Sequence, residues 1–324
     1  MLKEFIQVMV ETPGLSGYES KISKVIEDYF KPYSDDIRRD KLGNLIGLKK
    51  GNTGDRKKIF LAAHMDEIGL IVKKIDKNGF IKFTTIGGVD QRTLLTQEVI
   101  VHGEKDLFGV IGNKPPHILE EEERKKAVKI EDMLIDVGLS KDEVEKVISV
   151  GDPISFRRKM VSLQGDCISG KALDDRAGVA VMYECLKELN KMNHDCDVYA
   201  VSTVQEEAYT PELSKDEVSE LGKGPAIAFG ANIHPKVYES LIKTAKEYNL
   251  PYQEEVYTGA TGTDAWAIQI TQSGVATGLL SIPLRYMHTS VEVIDINDIK
   301  YAGKILANFI VSLNLVDLEG MLCY

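Results

Sequence analysis

Four short stretches of the chain carry residue types that hold metal ions and move protons. They are His64-Met65-Asp66, Leu173-Asp174-Asp175-Arg176, Gln205-Glu206-Glu207 and Tyr286-Met287-His288. His64 and Asp66 stand two apart at the end of an apolar run, so on extended backbone they project to the same side. An imidazole that ligates a metal needs its other ring nitrogen held by a carboxylate or carbonyl, and Asp66 can hold it. A structural His–Asp pair at a strand end explains the two residues equally well. Asp174 and Asp175 open a helical pattern, where a helix N-terminus favours carboxylates in any case. The chemical alternative is that Asp174 bridges two metals, one per oxygen. Glu206 and Glu207 end a strand whose preceding residues are apolar, and adjacent carboxylates are costly to desolvate without cations. On a strand they point opposite ways, so one can ligate a metal while the other addresses a water. Metal-assisted hydrolysis needs that division: the metal lowers the pKa of water and a carboxylate takes the proton. Two exposed glutamates opening a loop are the bland alternative. Together, two His, a bridging-competent Asp and a Glu-Glu pair are the ligand set of a two-zinc hydrolase.

Of the six histidines, only His64 and His288 lie beside strand ends of the α/β part of the chain. His102, His117 and His194 fall in turn or surface contexts, and His234 precedes Pro235 at a helix start. These four are assigned structural roles. Cys167, Cys185, Cys196 and Cys323 form no CxxC pair and no zinc-finger spacing. They are expected to be reduced, buried thiols of a cytoplasmic protein.

The elements that must position the chemistry are legible in coarse form. An amphipathic helix at the N-terminus carries Leu2, Phe5, Ile6 and Met9 on one face, and a second helix covers 21–30. A strand over 58–63 leads into His64, followed by a second apolar run over 68–72. Between about 73 and 163 the texture changes to short β-rich segments separated by turn signals such as Asn78-Gly79, Gly87-Gly88 and His102-Gly103, which suggests a small barrel. A helix over 141–148 interrupts it, with Ser140 as N-cap. After Gly170, helices over 174–191, 236–248 and 297–313 alternate with strands over 198–204 and 277–282. That alternation argues an α/β sheet with helices on both faces. The expected organisation is a catalytic α/β domain, 1–72 with 164–324, interrupted by a β-rich domain, 73–163. In open α/β sheets ligands bind beyond the carboxyl ends of strands, so the four stretches point to one edge.

Composition bounds the partners. The chain has 324 residues, with 40 Lys+Arg against 50 Asp+Glu and a net charge of −10. That balance disfavours nucleic acid, which needs a basic stripe, and anionic membrane surfaces. No window is apolar enough to span a bilayer. The N-terminus is too polar for a signal peptide. The charge run Glu120–Lys126 reads as a solvated face.

The chain resembles the M42 family of metallo-aminopeptidases, the tetrahedral (TET) aminopeptidases, whose members also carry glutamyl aminopeptidase and endoglucanase labels. The resemblance rests on Ala62-Ala63-His64-Met65-Asp66-Glu67-Ile68-Gly69, Lys171-Ala172-Leu173-Asp174-Asp175-Arg176, Thr203-Val204-Gln205-Glu206-Glu207, Thr261-Gly262-Thr263-Asp264-Ala265 and Ile282-Pro283-Leu284-Arg285-Tyr286-Met287-His288-Thr289. Pro13-Gly14-Leu15-Ser16-Gly17 and Lys114-Pro115-Pro116-His117 add to it. It implies an α/β zinc-peptidase fold of the phosphorylase/hydrolase-like type with an inserted, barrel-like dimerisation domain. It also implies a cytoplasmic homododecamer built from dimers, acting on short peptides with two divalent ions, Zn²⁺ or Co²⁺. Carried over, His64 and bridging Asp174 hold one ion, and Asp174, Glu207 and His288 the other. Glu206 is the general base and Asp66 orients His64.

The resemblance breaks after Glu207. There the family continues with Val-Gly-Leu-Arg-Gly, a helix, and a strand ending in an Asp that ligates the first metal. Here Ala208-Tyr209-Thr210-Pro211 follows directly, so on the order of 25–30 residues, one helix–strand unit, are absent. One ion keeps three ligands; the ion at His64 keeps two, with Glu212 and Asp216 the nearest candidates in sequence. The alternatives are therefore a catalytically impaired assembly subunit, or a related deacylase or glucanase-labelled hydrolase. A glycosidase needs two carboxylates flanking the scissile bond, which the Glu-Glu pair beside metal ligands does not suit.

Overall fold

The computed structural model describes residues 1–53, 57–113, 127–209, 219–257, 262–272 and 274–313. The Glu120–Lys126 run, Lys114 to His117, Thr210, Pro211, Glu212, Asp216, Thr261 and Cys323 lie outside these.

The chain opens with α1 (Leu2–Glu11) and α2 (Ser20–Phe30). Phe5, Ile6 and Met9 of α1 and Ile22, Ile26 and Phe30 of α2 face inward, as the helical spacing requires. A hairpin, β1 (Asp36–Arg39) and β2 (Leu45–Lys49), leads to β3 (Lys58–His64). The chain then builds an antiparallel barrel from β4 (Gly69–Ile75), β5 (Ile81–Ile86), β6 (Glu98–Val101), β7 (Leu107–Gly112), β8 (Leu134–Asp136) and β9 (Pro153–Phe156). It closes in the order β4-β5-β8-β7-β6-β9 around Leu70, Phe83, Val99, Ile135 and Ile154. Its first strand begins at Gly69, ahead of the texture change at 73. The expected helix over 141–148 is a single turn, α3 (Lys141–Val144), capped by Ser140 with Glu143.

Past the barrel come β10 (Val161–Ser162), β11 (Cys167–Gly170), α4 (Leu173–Leu189), β12 (Asp197–Thr203) and α5 (Glu206–Tyr209). They are followed by β13 (Ala226–Gly230), α6 (Pro235–Glu247), β14 (Gln253–Tyr257), α7 (Asp264–Gln269), β15 (Leu280–Ser281), β16 (Glu292–Asp295) and α8 (Ile296–Ser312). The expected strand over 277–282 shrinks to β15, because only Leu280 and Ser281 pair with β13. No helix among the described residues is long and apolar enough to cross a membrane.

The α/β part holds its strands in three sheets, ordered β1-β2-β12-β3, β10-β11-β16 and β14-β13-β15. Two pairings position the chemistry. β12 lies parallel to β3 with Thr203 opposite His64, so both strands end at one level. β11 lies antiparallel to β16 with Gly170 opposite Glu292, so the turn into α4 meets the segment after His288. Among the described residues β3 is the outer strand of its sheet, and Phe60 on it is 51% exposed.

A buried ionic knot ties these pieces to the N-terminal loop. Glu67 accepts from Lys171 Nζ and from Gly14 N (3.0 Å), and Arg176 Nη2 lies 3.6 Å away. Arg176 also donates to the carbonyls of Met65, Met9 and Thr12. Burial alone would push Glu67 up; Lys171 and Arg176 outweigh it and hold the carboxylate below its ordinary range. Removing one member of such a group strands the other charges without water. Glu67→Ala is expected to destabilise the chain by about 3–5 kcal/mol; a denaturant midpoint equal to the native one would contradict this.

Candidate metal centre

The parallel pairing of β3 and β12 places His64 and the Glu206-Glu207 pair at the same sheet edge. β12 ends at Thr203, and the expected strand does not reach the glutamates. Gln205 takes a left-handed φ of 63° and the chain turns into α5, so Glu206 and Glu207 begin a helical turn. Strand propensity does not encode that reversal.

Asp66 stabilises the turn. Its Oδ1 accepts from Glu206 N and its Oδ2 from Glu207 N, both at 3.1 Å, and Ser16 Oγ donates to Oδ2 as well. Its Oδ1 also lies 3.6 Å from His64 Nδ1. Asp66 thus faces the imidazole and fixes the backbone of the Glu-Glu pair at once. Glu19 reinforces the turn by accepting from Gln205 N at 3.1 Å.

Asp174 and His288 come from the other pairing. Asp174 and Asp175 depart from helical φ/ψ at the head of α4, which aims Asp174 across the sheet edge. Asp174 Oδ1 lies 3.6 Å from His64 Nε2, and Oδ2 lies 3.5 Å from His288 Nε2. His288 Nε2 is 3.6 Å from Glu207 Oε2, and His64 Nε2 is 3.6 Å from Glu206 Oε2. Asp174 therefore spans the two imidazoles with one oxygen each. Asp174, Glu207 and His288 offer ligand atoms all within 4.8 Å of one another. Asp175 stands behind them, its Oδ1 accepting from Gly178 N at 3.0 Å. A Cβ at Gly178 would sit 2.6 Å from that carboxylate and 2.9 Å from Ala63 Cβ, so only glycine lets α4 approach β3 here.

The electrostatics describe a centre short of positive charge. Burial pushes Glu207 and Asp175 each up to about 7. His64 is driven well above its ordinary value: burial opposes this, but Asp174 and Asp66 outweigh it. Asp174 is held low against its burial by His288 and His64. A divalent cation answers this crowding, and imidazole with carboxylate is a fitting donor set for one. On the Nε2 side of His64, the described residues within reach are Asp174 and Glu206, while Asp66 faces Nδ1.

The histidines outside the centre have other surroundings. His194 Nδ1 contacts Cys196 O at 2.8 Å. His102 sits 2.8 Å from Ser155 Oγ and 3.0 Å from Asp106 Oδ1. That Ser–His–Asp chain lacks an open nucleophile, because Ser155 is 3% exposed, and it ties the β6–β7 turn to β9. His234 is buried at the start of α6 with neither ring nitrogen bonded to a described residue. Cys185 and Cys196 are buried free thiols, while Cys167 is half-buried. Sequence reasoning missed Ser16, Glu19 and Glu292. Only Glu292 left a local signal, a carboxylate inside the apolar run Val291 to Ile294.

Comparison with known proteins identifies relatives along nearly the whole chain. The family model for M42 glutamyl aminopeptidase matches residues 43–210 and 208–305. A lysyl aminopeptidase of Pyrococcus furiosus is 36% identical, the match covering 97% of this chain and 98% of the relative. That match runs over 345 positions, more than the 324 residues present here. Among solved structures, a TET aminopeptidase from a marine-sediment thaumarchaeote superposes with a TM-score of 0.91 at 32% identity, covering 99% of both chains. A TET peptidase of Pyrococcus horikoshii, described as able to assemble into a tetrahedron or a large octahedral shell, gives 0.83 at 29% identity. That match covers 97% of this chain and 100% of the other. The family match comes in two pieces that meet at 208–210, next to the Glu-Glu pair.

Asp66→Ala leaves the Glu206 and Glu207 amides and the Ser16 hydroxyl without their acceptor. It is expected to cost about 1–3 kcal/mol, read by urea unfolding of chelator-treated protein. No change in midpoint would show that water replaces the carboxylate fully.

Proposed function

Because the chain belongs to the M42 glutamyl aminopeptidase family, we propose that it removes N-terminal residues from short peptides. The centre for this is a divalent ion held by Asp174, Glu207 and His288. The observation that carries the reading is the meeting of those three ligand atoms within 4.8 Å, beside Glu206 and His64. Zn²⁺ and Co²⁺ both suit the donor set. When bound, the ion supplies a Lewis acid for the scissile carbonyl and lowers the pKa of water towards neutrality.

The chain's own residues do the rest. Glu206 takes the proton of the attacking water on a carboxylate oxygen and passes it to the departing amine nitrogen. Asp66 sets Glu206 through its amide and faces the Nδ1 side of His64, leaving Nε2 turned towards Asp174. The Nε2 face of His64, with Asp174, makes a second position with two ligands, and Glu206 beside it is kept for the proton. This position takes an ion more weakly than the first, which has three. By analogy with the Pyrococcus horikoshii peptidase, the chain self-associates through its barrel into dimers and then a dodecameric shell. It works in the cytoplasm on peptides.

A second reading, a subunit that keeps the fold with impaired catalysis, is favoured by the two-piece family match at the Glu-Glu pair. Metal titration of chelator-stripped protein, with release of free amino acids from short peptides as readout, separates the two. On the order of one tight equivalent per chain is expected, with turnover lost on chelation and regained on reloading. Two equally tight equivalents would overturn the unequal pair of positions, and no tight binding would overturn the metal centre. Glu206→Gln is expected to lower kcat by about 10²–10⁴-fold with the tight ion retained. Metal-loaded native protein that releases no amino acid would instead establish the impaired subunit.

A further inference from the structure

We propose that Glu292 is a positioning residue, one buried carboxylate that locks the Asp174 and His288 loops to each other and so sets the spacing of the ion centre. The inference rests on the metal-centre reading above. Glu292 is 2% exposed at the start of β16. Both of its oxygens are engaged, and each serves a different loop. Oε2 accepts from Leu173 N at 2.6 Å and from Asp174 N at 3.2 Å. Oε1 accepts from His288 N at 2.9 Å. The donors are the main-chain amides of two proposed ligands and of a residue next to one of them. The bonds therefore fix where the Asp174 and His288 side chains start from.

Both loops need such a hold. Ala172, Tyr286 and His288 take φ of 56°, 61° and 60°, a region non-glycine residues seldom occupy unless surrounding bonds hold them there. Neither loop carries a ladder of its own at the ligand. The β11–β16 register brings Gly170 opposite Glu292, and Arg285 bridges to Val293. The strand pairing thus delivers both loops to the same carboxylate. Asp66 holds the Glu206-Glu207 turn by the same device from the other side of the centre.

Glu292→Gln keeps the volume but replaces one acceptor oxygen by an amide that meets N–H donors head-on. Competition with a chromophoric chelator for Zn²⁺ is expected to show affinity about 10–100-fold weaker. The metal-free variant should keep the native circular dichroism at the assay temperature, with a thermal midpoint that is lowered but stays well above it. Excess Zn²⁺ should restore turnover with KM unchanged. Native affinity in a folded Glu292→Gln protein would overturn the proposal. So would a loss of affinity that merely tracks melting of the metal-free chain. A native protein that binds no Zn²⁺ would instead overturn the metal centre itself. Hydrogen exchange of unmodified, metal-free protein gives a test that needs no variant. The Asp174 and His288 amides should exchange slowly, and solvent-like exchange at either would overturn the lock.

Discussion

Carboxylates taken out of water must be given hydrogens or cations, and the centre of this protein gathers six of them from four distant stretches of the chain. Asp66, Asp174, Asp175, Glu206, Glu207 and Glu292 are partly or wholly buried, with two imidazoles among them. An unpaired buried carboxylate costs several kcal/mol. The architecture around the site is a distribution of donors that meets this requirement. Asp66 and Glu292 are satisfied by backbone amides, Asp175 by Gly178 N, and Glu67 nearby by Lys171 and Gly14 N. Asp174, Glu206 and Glu207 are left facing imidazoles and one another, the arrangement that a cation completes.

The same economy explains the odd backbone. Loops with left-handed non-glycine residues recur at Ala172, Gln205, Tyr286 and His288. Each of the four is an ion-centre residue or stands one or two residues before one, and an acidic side chain bonds amides at each bend. Buried Asp298 does the like for Gly222 and Gly224 ahead of β13. Acidic residues thus play two parts in this chain, organising turns and facing the reaction space. Only hydrogen-bond accounting tells the two apart.

Periodic elements were legible in the sequence because periodicity is local. The apolar face of α1, the strand before His64, the turn-punctuated barrel and the helices after Gly170 all follow from residue spacing. His64 with Asp66 could be paired from their separation of two on an extended chain. What escaped was set by distant segments. Ser16 reaches Asp66 across fifty residues, and Glu292 reaches Asp174 across more than a hundred. Nothing in the composition around the Glu206-Glu207 pair announces the positive φ at Gln205, so the apolar run before it points to a continuing strand. β15 was overestimated because an apolar run does not reveal how much of a partner strand is available.

The centre also straddles a boundary. His64 and Glu207 depend on the sheet containing β3 and β12, whereas Asp174 and His288 depend on the one containing β11 and β16. Among the described residues these sheets share no strand. The gap from Glu207 to His288 is thus a distance between two sheets that share a core but no ladder of backbone hydrogen bonds. An ion seated there would act as a rivet across a seam. Among the described residues no strand flanks β3, so an ion there would supply at this edge some of the stiffness that a neighbouring strand gives elsewhere.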